Sequence, residues 1–237
     1  MTELDSFNDK LLEGTSRSFY LTLKRLPKSV KGQIGLLYLL ARISDTIADS
    51  GDSGGEDLLE LLQDYNNRAP GHSDSMPDFS NLSDVQENPA EGLLLRGAHG
   101  PIELLEKASV VDQELIRKCL DIIVSGQRMD LERFSDKDGS RIRSLSRYEE
   151  MDDYAYRVAG SVGEFWTEIC LEHAFEASAE MKEELMSSGV RFGKALQLIN
   201  ILRDIPEDLE IGRCYIPTDD LEKIGLSPDD LLHSDSI

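Results

Sequence analysis

YLLARISDTIAD (Tyr38–Asp49) and LQLINILRDIPEDLEIGRCYIP (Leu196–Pro217) are the two stretches that decide the fold of this 237-residue chain. In each stretch apolar residues recur three and four positions apart, which is the spacing of a helix that buries one face. Each stretch also has two aspartates four positions apart, on a stripe separate from the apolar one. We therefore predict two long helices, each with a packing face and a face that presents two carboxylates. The aspartates are Asp45, Asp49, Asp204 and Asp208.

The rest of the chain has the same helical period, and no segment shows the alternation of a convincing strand. Residues 70–90 are rich in turn formers and poor in apolar residues, so we predict a surface loop or insert there. The prediction is one all-α domain over residues 1–237. Helices are expected near 30–49, 57–67, 101–106, 111–134, 147–176 and 179–209.

Composition excludes several classes of partner. The chain has 46 acidic and 25 basic residues, and its formal charge of -21 opposes general electrostatic binding to nucleic acid or to an anionic membrane. Three widely spaced cysteines predict neither a disulfide framework nor a zinc site. The N-terminus lacks a signal-peptide pattern, and no apolar run is long enough to span a membrane. We therefore expect a cytoplasmic location.

The polar stripes indicate a site where metal ions bridge an anion. Two carboxylates four residues apart, without a third protein ligand, suit Mg²⁺, which keeps several waters and often completes its shell with substrate phosphates. Neighbouring arginines would neutralise the remaining negative charge. Acidic pairs at this spacing also arise by chance in so acidic a chain, and a solvated helix face is the alternative for either pair alone. The other polar residues on or beside the stripes are Tyr38, Arg42, Gln197, Asn200, Arg203 and Arg213.

Four segments, in this order along the chain, resemble motifs of the squalene/phytoene synthase family, the head-to-head prenyl synthases. SRSFYLTLKRLP (Ser16–Pro27) resembles the N-terminal SxSF element, and YLLARISDTIAD resembles the first aspartate motif. YAYRVAGSVG (Tyr154–Gly163) resembles the tyrosine-containing YxxxVAGxVG motif. The stretch over Leu196–Pro217 resembles the second aspartate motif. The resemblance covers nearly the whole chain.

This resemblance implies an isoprenoid-synthase-type helical bundle with a central cavity. It implies that the four aspartates bind Mg²⁺ that bridges substrate diphosphates, and that Tyr154 takes part in proton removal. Phe19, Phe165 and Trp166 are candidates to line the cavity, with a plain core position as the alternative. The positions that match contacts to diphosphate or to a nearby cofactor are Arg17, Ser18, Tyr38, Arg42, Gln197, Asn200, Arg203 and Arg213.

The activity implied by the resemblance is Mg²⁺-dependent 1'-1 condensation of two prenyl diphosphates through a cyclopropyl diphosphate. We expect farnesyl diphosphate as substrate and squalene as product, with NADPH as a further cofactor in that case only. A non-reductive phytoene or dehydrosqualene synthase is the first alternative. A non-catalytic helical scaffold of the same fold is the second, and the presence of all four aspartates argues against it. Peripheral membrane association would serve product release, and the oligomeric state stays open.

Several residues depart from the family pattern or allow more than one interpretation. Ala48 stands where many eukaryotic members have an acidic residue. Pro206 lies between the two aspartates of the second motif and is expected to kink that helix. Gly160 and Gly163 allow close approach of either a prenyl tail or a second helix. Family members continue through further helices that close the cavity, so we expect the C-terminal helices to be missing from this sequence.

Overall fold

The computed structural model describes residues 3–16, 18–50, 58–69, 71–134 and 142–232, with side chains from residue 10 onward except that of Ser18. The all-α prediction is confirmed, because nearly all regular structure in these residues is helical. The helices are α1 (Glu3–Ser16), α2 (Ser18–Arg25), α3 (Lys28–Ala48), α4 (Leu58–Arg68), α5 (Ser80–Asp84), α6 (Pro89–Arg96), α7 (His99–Lys107), α8 (Val110–Phe134), α9 (Tyr148–Ala155), α10 (Ser161–His173), α11 (Ala179–Arg203), α12 (Ile205–Glu210) and α13 (Thr218–Lys223). A π-helical turn spans Tyr156–Gly160, a 3₁₀ helix spans Pro228–Leu232, and the strands are β1 (Arg143–Ser144) and β2 (Arg213–Cys214).

Helix α3 lies at the centre of the bundle and contacts α1, α4, α6, α7, α8 and α10. Its apolar stripe, which includes Leu40, Ile43 and Ile47, is fully buried. The buried hydroxyl of Tyr65 on α4 donates a hydrogen bond of 2.8 Å to the carbonyl oxygen of Leu40. Because this core fixes one face of α3, the polar face of the same helix is held in a fixed orientation.

The segment predicted as a loop or insert at 70–90 contains more structure than its composition indicated. Residues 71–79 have no helix or strand, but a short helix, α5, follows. Phe79 and Leu82 are buried in the main core. Gln86 Nε2 donates a 2.9 Å hydrogen bond to Ser50 Oγ, just beyond the end of α3. Two apolar side chains are therefore enough to pack this polar segment against the bundle.

Both of the long C-terminal helices predicted from the sequence are interrupted. The helix expected over 147–176 consists of α9, the π turn and α10. The helix expected over 179–209 breaks at Asp204, and α12 begins with Pro206 in its first turn. The predicted kink is thus confirmed, since proline fits a first turn but not a helix interior. The break changes the direction of the chain between Asp204 and Asp208.

Helices α10 and α11 pack with their backbones in contact. A Cβ atom on Gly163 would lie 2.0 Å from the carbonyl oxygen of Gly189, and one on Gly193 would lie 2.2 Å from that of Ala159. A Cβ on Gly160 would meet side-chain atoms of Lys194 on α11 at 3.0 Å. These glycines therefore serve helix packing, which was the second of the two alternatives for Gly160 and Gly163.

The outer face of α11 is apolar and exposed. The spacing of Leu198, Leu202, Ile205 and Leu209 predicts a packing stripe. Leu209 is buried, and Leu198 and Ile205 pack against small apolar clusters, but Leu202 is 63% exposed. The contacts of α11 with α10 are made through glycines. No helix in the described ranges has the length and apolarity needed to cross a membrane. The exposed apolar face of α11 is formed by Phe192, Leu196, Ile199 and Leu202.

Strands β1 and β2 form one short parallel pair, with Arg143 opposite Arg213. This pairing holds the chain after α12 beside the segment that precedes α9. Cys214 and Leu209 are buried in a small apolar cluster that supports the pair. As a result, Arg213 and the residues after it are brought to the polar ends of α3 and α8.

Candidate functional site

A cavity of about 470 Å³ lies where α3, α8, α9, α11, α12 and β2 meet. It brings together the four aspartates of the two predicted stripes, although the two pairs are far apart in sequence. Its polar character comes from aspartates, arginines, amides and tyrosines on six separate elements. The polar residues that line it are Arg42, Asp45, Asp49, Gln127, Asp130, Tyr154, Gln197, Asn200, Asp204, Asp208, Arg213 and Tyr215.

The first aspartate pair comes from the end of α3. Gln127 Nε2 on α8 donates a hydrogen bond to Oδ1 of Asp45. Burial, followed by the nearby carboxylate of Asp49, raises the pKa of Asp45 to about 7. Burial also raises the pKa of Asp49, although the positive charges of Arg213 and Arg42 oppose the rise. Negative charge is therefore crowded at this end of the cavity, and an added cation would relieve it.

The second pair has two different environments. Arg203 donates two hydrogen bonds of 2.6 Å to the carboxylate of Asp204, which lowers the pKa of Asp204. Burial raises the pKa of Asp208 to about 6 against the opposing charge of Arg213. The carboxylates of Asp204 and Asp49 contribute to that rise. The two aspartate pairs are therefore close enough for their negative charges to interact.

Two arginines bring positive charge to the cavity. Arg42 pairs with Glu91 of α6, while its Nε is buried and has no hydrogen-bond partner. Arg213 Nη1 lies 3.5 Å from Oδ2 of Asp130. Both guanidinium groups are partly buried, with side-chain exposures of 29% and 23%. A planar, permanently charged group with free N–H donors suits an anion such as phosphate.

Tyr154 lies in the cavity wall beside a second tyrosine. The rings of Tyr154 and Tyr215 are stacked with centroids 4.8 Å apart and 18° between their planes. The Tyr215 hydroxyl donates a hydrogen bond to Oδ2 of Asp130. Burial, together with the negative charge of Asp130, raises the pKa of Tyr154. Tyr154 is therefore a neutral phenol before any reaction.

Most residues predicted for the site line this cavity, and four require separate comment. Arg203 does not line it, since its exposed side chain turns to the adjacent Asp204 at the end of α11. Tyr38 lines a neighbouring apolar cavity, and its hydroxyl donates to the carbonyl oxygen of Thr15. Arg17 and the side chain of Ser18 lie outside the described residues.

Four polar residues of the site were not predicted from the sequence; they are Gln127, Asp130, Glu91 and Tyr215, the last of which follows β2. Gln127 and Asp130 lie three residues apart on α8, each about nine-tenths buried, and Glu91 comes from α6. A signal for the first two exists: they continue the inward stripe that includes Ile116 and Ile123, so polar residues occupy core positions. Glu91 carries no comparable signal, because its approach to α3 depends on tertiary packing.

A second cavity of about 190 Å³ adjoins the polar one. Asp45 and Val158 line both cavities, so an apolar compartment begins beside the carboxylates. The aromatic candidates from the sequence are found here, with Phe165 fully buried. A molecule with an anionic head and an apolar tail would match the two compartments. The apolar lining is formed by Phe19, Ile34, Leu37, Tyr38, Ala41, Ile123, Val158, Val162, Phe165 and Trp166.

The donor set of the polar cavity fits Mg²⁺. It offers hard carboxylate oxygens, and the pKa values of Asp45 and Asp208 are raised by burial first and by neighbouring carboxylates second, so a bound cation would favour their ionised forms. No three acidic, histidine or cysteine side chains in the described ranges converge on one point as a complete metal site. An ion held here would therefore need water or substrate oxygens to complete its shell, as Mg²⁺ commonly does.

Comparison with known proteins points to one family. A sequence model described as squalene/phytoene synthase matches residues 12–236. A protein named bifunctional lycopene cyclase/phytoene synthase from Gibberella fujikuroi is 30% identical over 227 residues, which are 94% of this chain and 37% of that protein. A 15-cis-phytoene synthase from Synechocystis is 30% identical over 222 residues, covering 92% of this chain and 57% of that protein.

Solved structures share the fold. A complex of TcSQS with a ligand matches with a TM-score of 0.71 at 21% identity, covering 93% of this chain and 60% of that one. The squalene synthase HpnC from Alicyclobacillus acidocaldarius matches with a TM-score of 0.61 at 20% identity, covering 97% and 73%. This chain thus spans little more than a third of the fungal relative and somewhat over half of the cyanobacterial one.

Proposed function

Because this chain belongs to the squalene/phytoene synthase family, whose members are prenyltransferases, we propose that it condenses two prenyl diphosphates head to head. The observation that carries the proposal is the pairing of two adjoining cavities. One gathers four aspartates and two arginines, and the other is apolar and begins at Asp45. This arrangement matches a substrate whose diphosphate is bound among charges while its hydrocarbon chain is kept from water.

The four aspartates, Asp45, Asp49, Asp204 and Asp208, are the residues that would hold Mg²⁺. The metal supplies charge neutralisation for a departing diphosphate. Arg42 and Arg213 add fixed positive charge on the same side, where it stabilises the charge that develops on the leaving group. Gln197 and Asn200 on α11 present amide groups to the cavity and can orient the phosphate oxygens.

The apolar compartment protects the carbocation that remains after diphosphate departs. Its aromatic walls exclude water, which would otherwise convert the cation to an alcohol. Tyr154 lies in the wall of the polar cavity, where its hydroxyl can receive the proton lost as the cyclopropane ring closes. Since its pKa is raised, this tyrosine accepts a proton only if its own proton moves on at the same time.

For the product we propose a phytoene-type hydrocarbon, formed from geranylgeranyl diphosphate without NADPH. The sequence favoured squalene from farnesyl diphosphate, with the phytoene type as the alternative. Two relatives at 30% identity are named phytoene synthases, and this supports the non-reductive branch. The squalene and dehydrosqualene synthase structures are below 25% identity and bear on the fold alone.

Product analysis tests this proposal. The purified protein is incubated with Mg²⁺ and either farnesyl or geranylgeranyl diphosphate, with and without NADPH, and the hydrocarbons are identified by mass. We expect a forty-carbon hydrocarbon whose yield does not depend on NADPH. A thirty-carbon product that requires NADPH would support the squalene alternative. Absence of any hydrocarbon in all four incubations would refute the condensation itself.

A further inference from the structure

Three polar side chains follow one another in the wall of the polar cavity, which Tyr154, Tyr215 and Asp130 all line. The ring of Tyr154 stacks on that of Tyr215 with 18° between their planes, so the two hydroxyls are carried by neighbouring, nearly parallel rings. The Tyr215 hydroxyl donates in turn to Oδ2 of Asp130. These residues belong to α9, the position after β2, and α8, so three separate elements must pack correctly to build the chain.

The donor inventory fixes the direction of this chain. A tyrosine hydroxyl has one hydrogen, and an ionised carboxylate can only accept. The hydrogen of Tyr215 is donated to Asp130, so the Tyr215 oxygen is the acceptor that remains for the hydroxyl of Tyr154. A hydrogen bond between the two hydroxyls must therefore run from Tyr154 to Tyr215, and a proton that follows it moves toward Asp130.

Asp130 has the properties of a proton acceptor. Its side chain is buried, Oδ2 faces both Tyr215 and Arg213, and Oδ1 has no hydrogen-bond partner. Buried polar atoms without partners are uncommon, and each calls for a reason. Burial raises the pKa of Asp130 to about 6, against the opposing effects of Tyr215 and Arg213. The group is thus ionised at neutral pH and more basic than an exposed aspartate.

Apolar side chains pack around Tyr215 and limit its exposure. The ring of Phe134 packs edge-on against that of Tyr215, with centroids 5.2 Å apart. Leu145 and Ile201 are buried in the same cluster. Tyr215 is only 6% exposed, so little water can compete with Tyr154 and Asp130 for its hydroxyl.

We infer that Tyr215 and Asp130 form a relay that removes the proton of Tyr154 while Tyr154 takes one from the substrate; the inference rests on the condensation proposed above. Ring closure breaks one C–H bond, and its electron pair forms the new carbon–carbon bond. The released proton binds Oη of Tyr154, the hydroxyl proton of Tyr154 passes to Tyr215, and that of Tyr215 passes to Oδ2 of Asp130. One C–H bond is replaced by one O–H bond, and no oxidant is needed. Tyr154 is the catalytic residue, and Tyr215 and Asp130 are positioning residues.

Two substitutions isolate the relay. Tyr215→Phe removes one hydroxyl but keeps the ring that packs between Tyr154 and Phe134. Asp130→Asn keeps the shape of the side chain but removes its capacity to take up the proton. Tyr148→Phe is the matched control, because Tyr148 is 52% exposed and does not line the polar cavity.

The assay measures four quantities with Mg²⁺ and geranylgeranyl diphosphate: diphosphate released, condensed product, prenyl alcohol, and the isotope effect of deuterium at the carbon that loses the proton. Asp45 and Asp208 titrate in the same pH range as Asp130, so the isotope effect is more specific than a pH profile. For both relay variants we expect condensed product per diphosphate to fall about 100-fold, the lower end of the range for general acid–base catalysis. The isotope effect should increase, and KM should change little.

The outcomes separate the relay from the proposed function. An inactive wild-type protein refutes the condensation. An active wild-type protein with unchanged partitioning and isotope effect in Tyr215→Phe refutes the relay alone, and points to the diphosphate as the proton acceptor. A rise in KM with normal partitioning also refutes it, because it assigns the two residues to binding. If Asp130→Asn does not fold, Tyr215→Phe decides the question, since its packing is retained.

Discussion

Asp45 offers the sharpest test of the site, because its carboxylate should destabilise the metal-free protein while serving the metal-bound one. We predict that Asp45→Asn raises the melting temperature at pH 8 in excess chelator. The pKa of Asp45 is raised from 3.8 to about 7, so ionisation of this group opposes folding. Gln127 can still donate its hydrogen bond to the amide oxygen of the substituted side chain.

The magnitude follows from the pKa shift. A rise of about three pKa units corresponds to ~4 kcal/mol at 1.36 kcal/mol per unit. The side chain keeps some access to water through the cavity, and we halve the figure to ~2 kcal/mol to allow for that screening. For a protein of this size one kcal/mol moves the melting temperature by about 2–4 °C, so the expected gain is roughly 5 °C.

The sign of the pH dependence is also fixed. A carboxyl group with a raised pKa in the folded state favours folding below its ordinary pKa, and this contribution is lost as pH rises toward 7. The difference in melting temperature between wild type and Asp45→Asn should therefore be near zero around pH 4 and reach its maximum above pH 7. Adding Mg²⁺ with pyrophosphate at pH 8 should stabilise the wild type more than the variant.

The assay is thermal unfolding at several pH values with chelator or with Mg²⁺ and pyrophosphate. Asp74→Asn is the matched control, since Asp74 is exposed on the segment before α5 and should show no gain. A loss of stability in Asp45→Asn at pH 8 without metal would refute the argument from crowded charge. An equal response of wild type and variant to Mg²⁺ with pyrophosphate would remove Asp45 from the metal site.

Three further predictions concern the same cavity and its support. Asp204→Asn should lower turnover about 100-fold or more while circular dichroism stays unchanged, as expected where developing charge loses a stabilising partner. Near-normal turnover would contradict a role for Asp204 in holding Mg²⁺. Calorimetry should find that Mg²⁺ and inorganic pyrophosphate stabilise the protein more together than the sum of each alone; simple additivity, or stabilisation by pyrophosphate in chelator, would indicate a plain arginine site. Gly193→Ala should destabilise folding by about 1–3 kcal/mol in denaturant titrations, because its Cβ would lie 2.2 Å from the Ala159 carbonyl oxygen; a neutral effect would mean that the π turn and α11 separate easily.

The sequence predicted the helices with one aspartate stripe each, because a 3.6-residue period links spacing directly to a helix face. It also predicted the kink at Pro206, since that effect is local to the backbone. The two motifs were expected to face each other and hold metal ions between them, as helix bundles commonly do, and the family resemblance implied the same. Their meeting in one cavity depends on how α3 and α11 pack, and no periodicity encodes that.

What the sequence did not predict depends on contacts between distant segments. Glu91 pairs with Arg42 only because α6 packs on α3, and the two residues are far apart in the chain. Helix α11 contacts α10 through glycines, and Leu202 is exposed although its stripe has a packing period. The π turn after α9 likewise depends on packing against α8 and α11.

We propose that one cavity joins two prenyl chains at their diphosphate-bearing carbons. This is tested with geranylgeranyl diphosphate labelled with carbon-13 at that carbon, Mg²⁺ and the wild-type protein, followed by NMR of the hydrocarbon fraction. We expect a product in which the two labelled carbons are bonded to each other and show one-bond carbon–carbon coupling. A labelled product without that coupling, or label found only in prenyl alcohol or in a longer prenyl diphosphate, would contradict it.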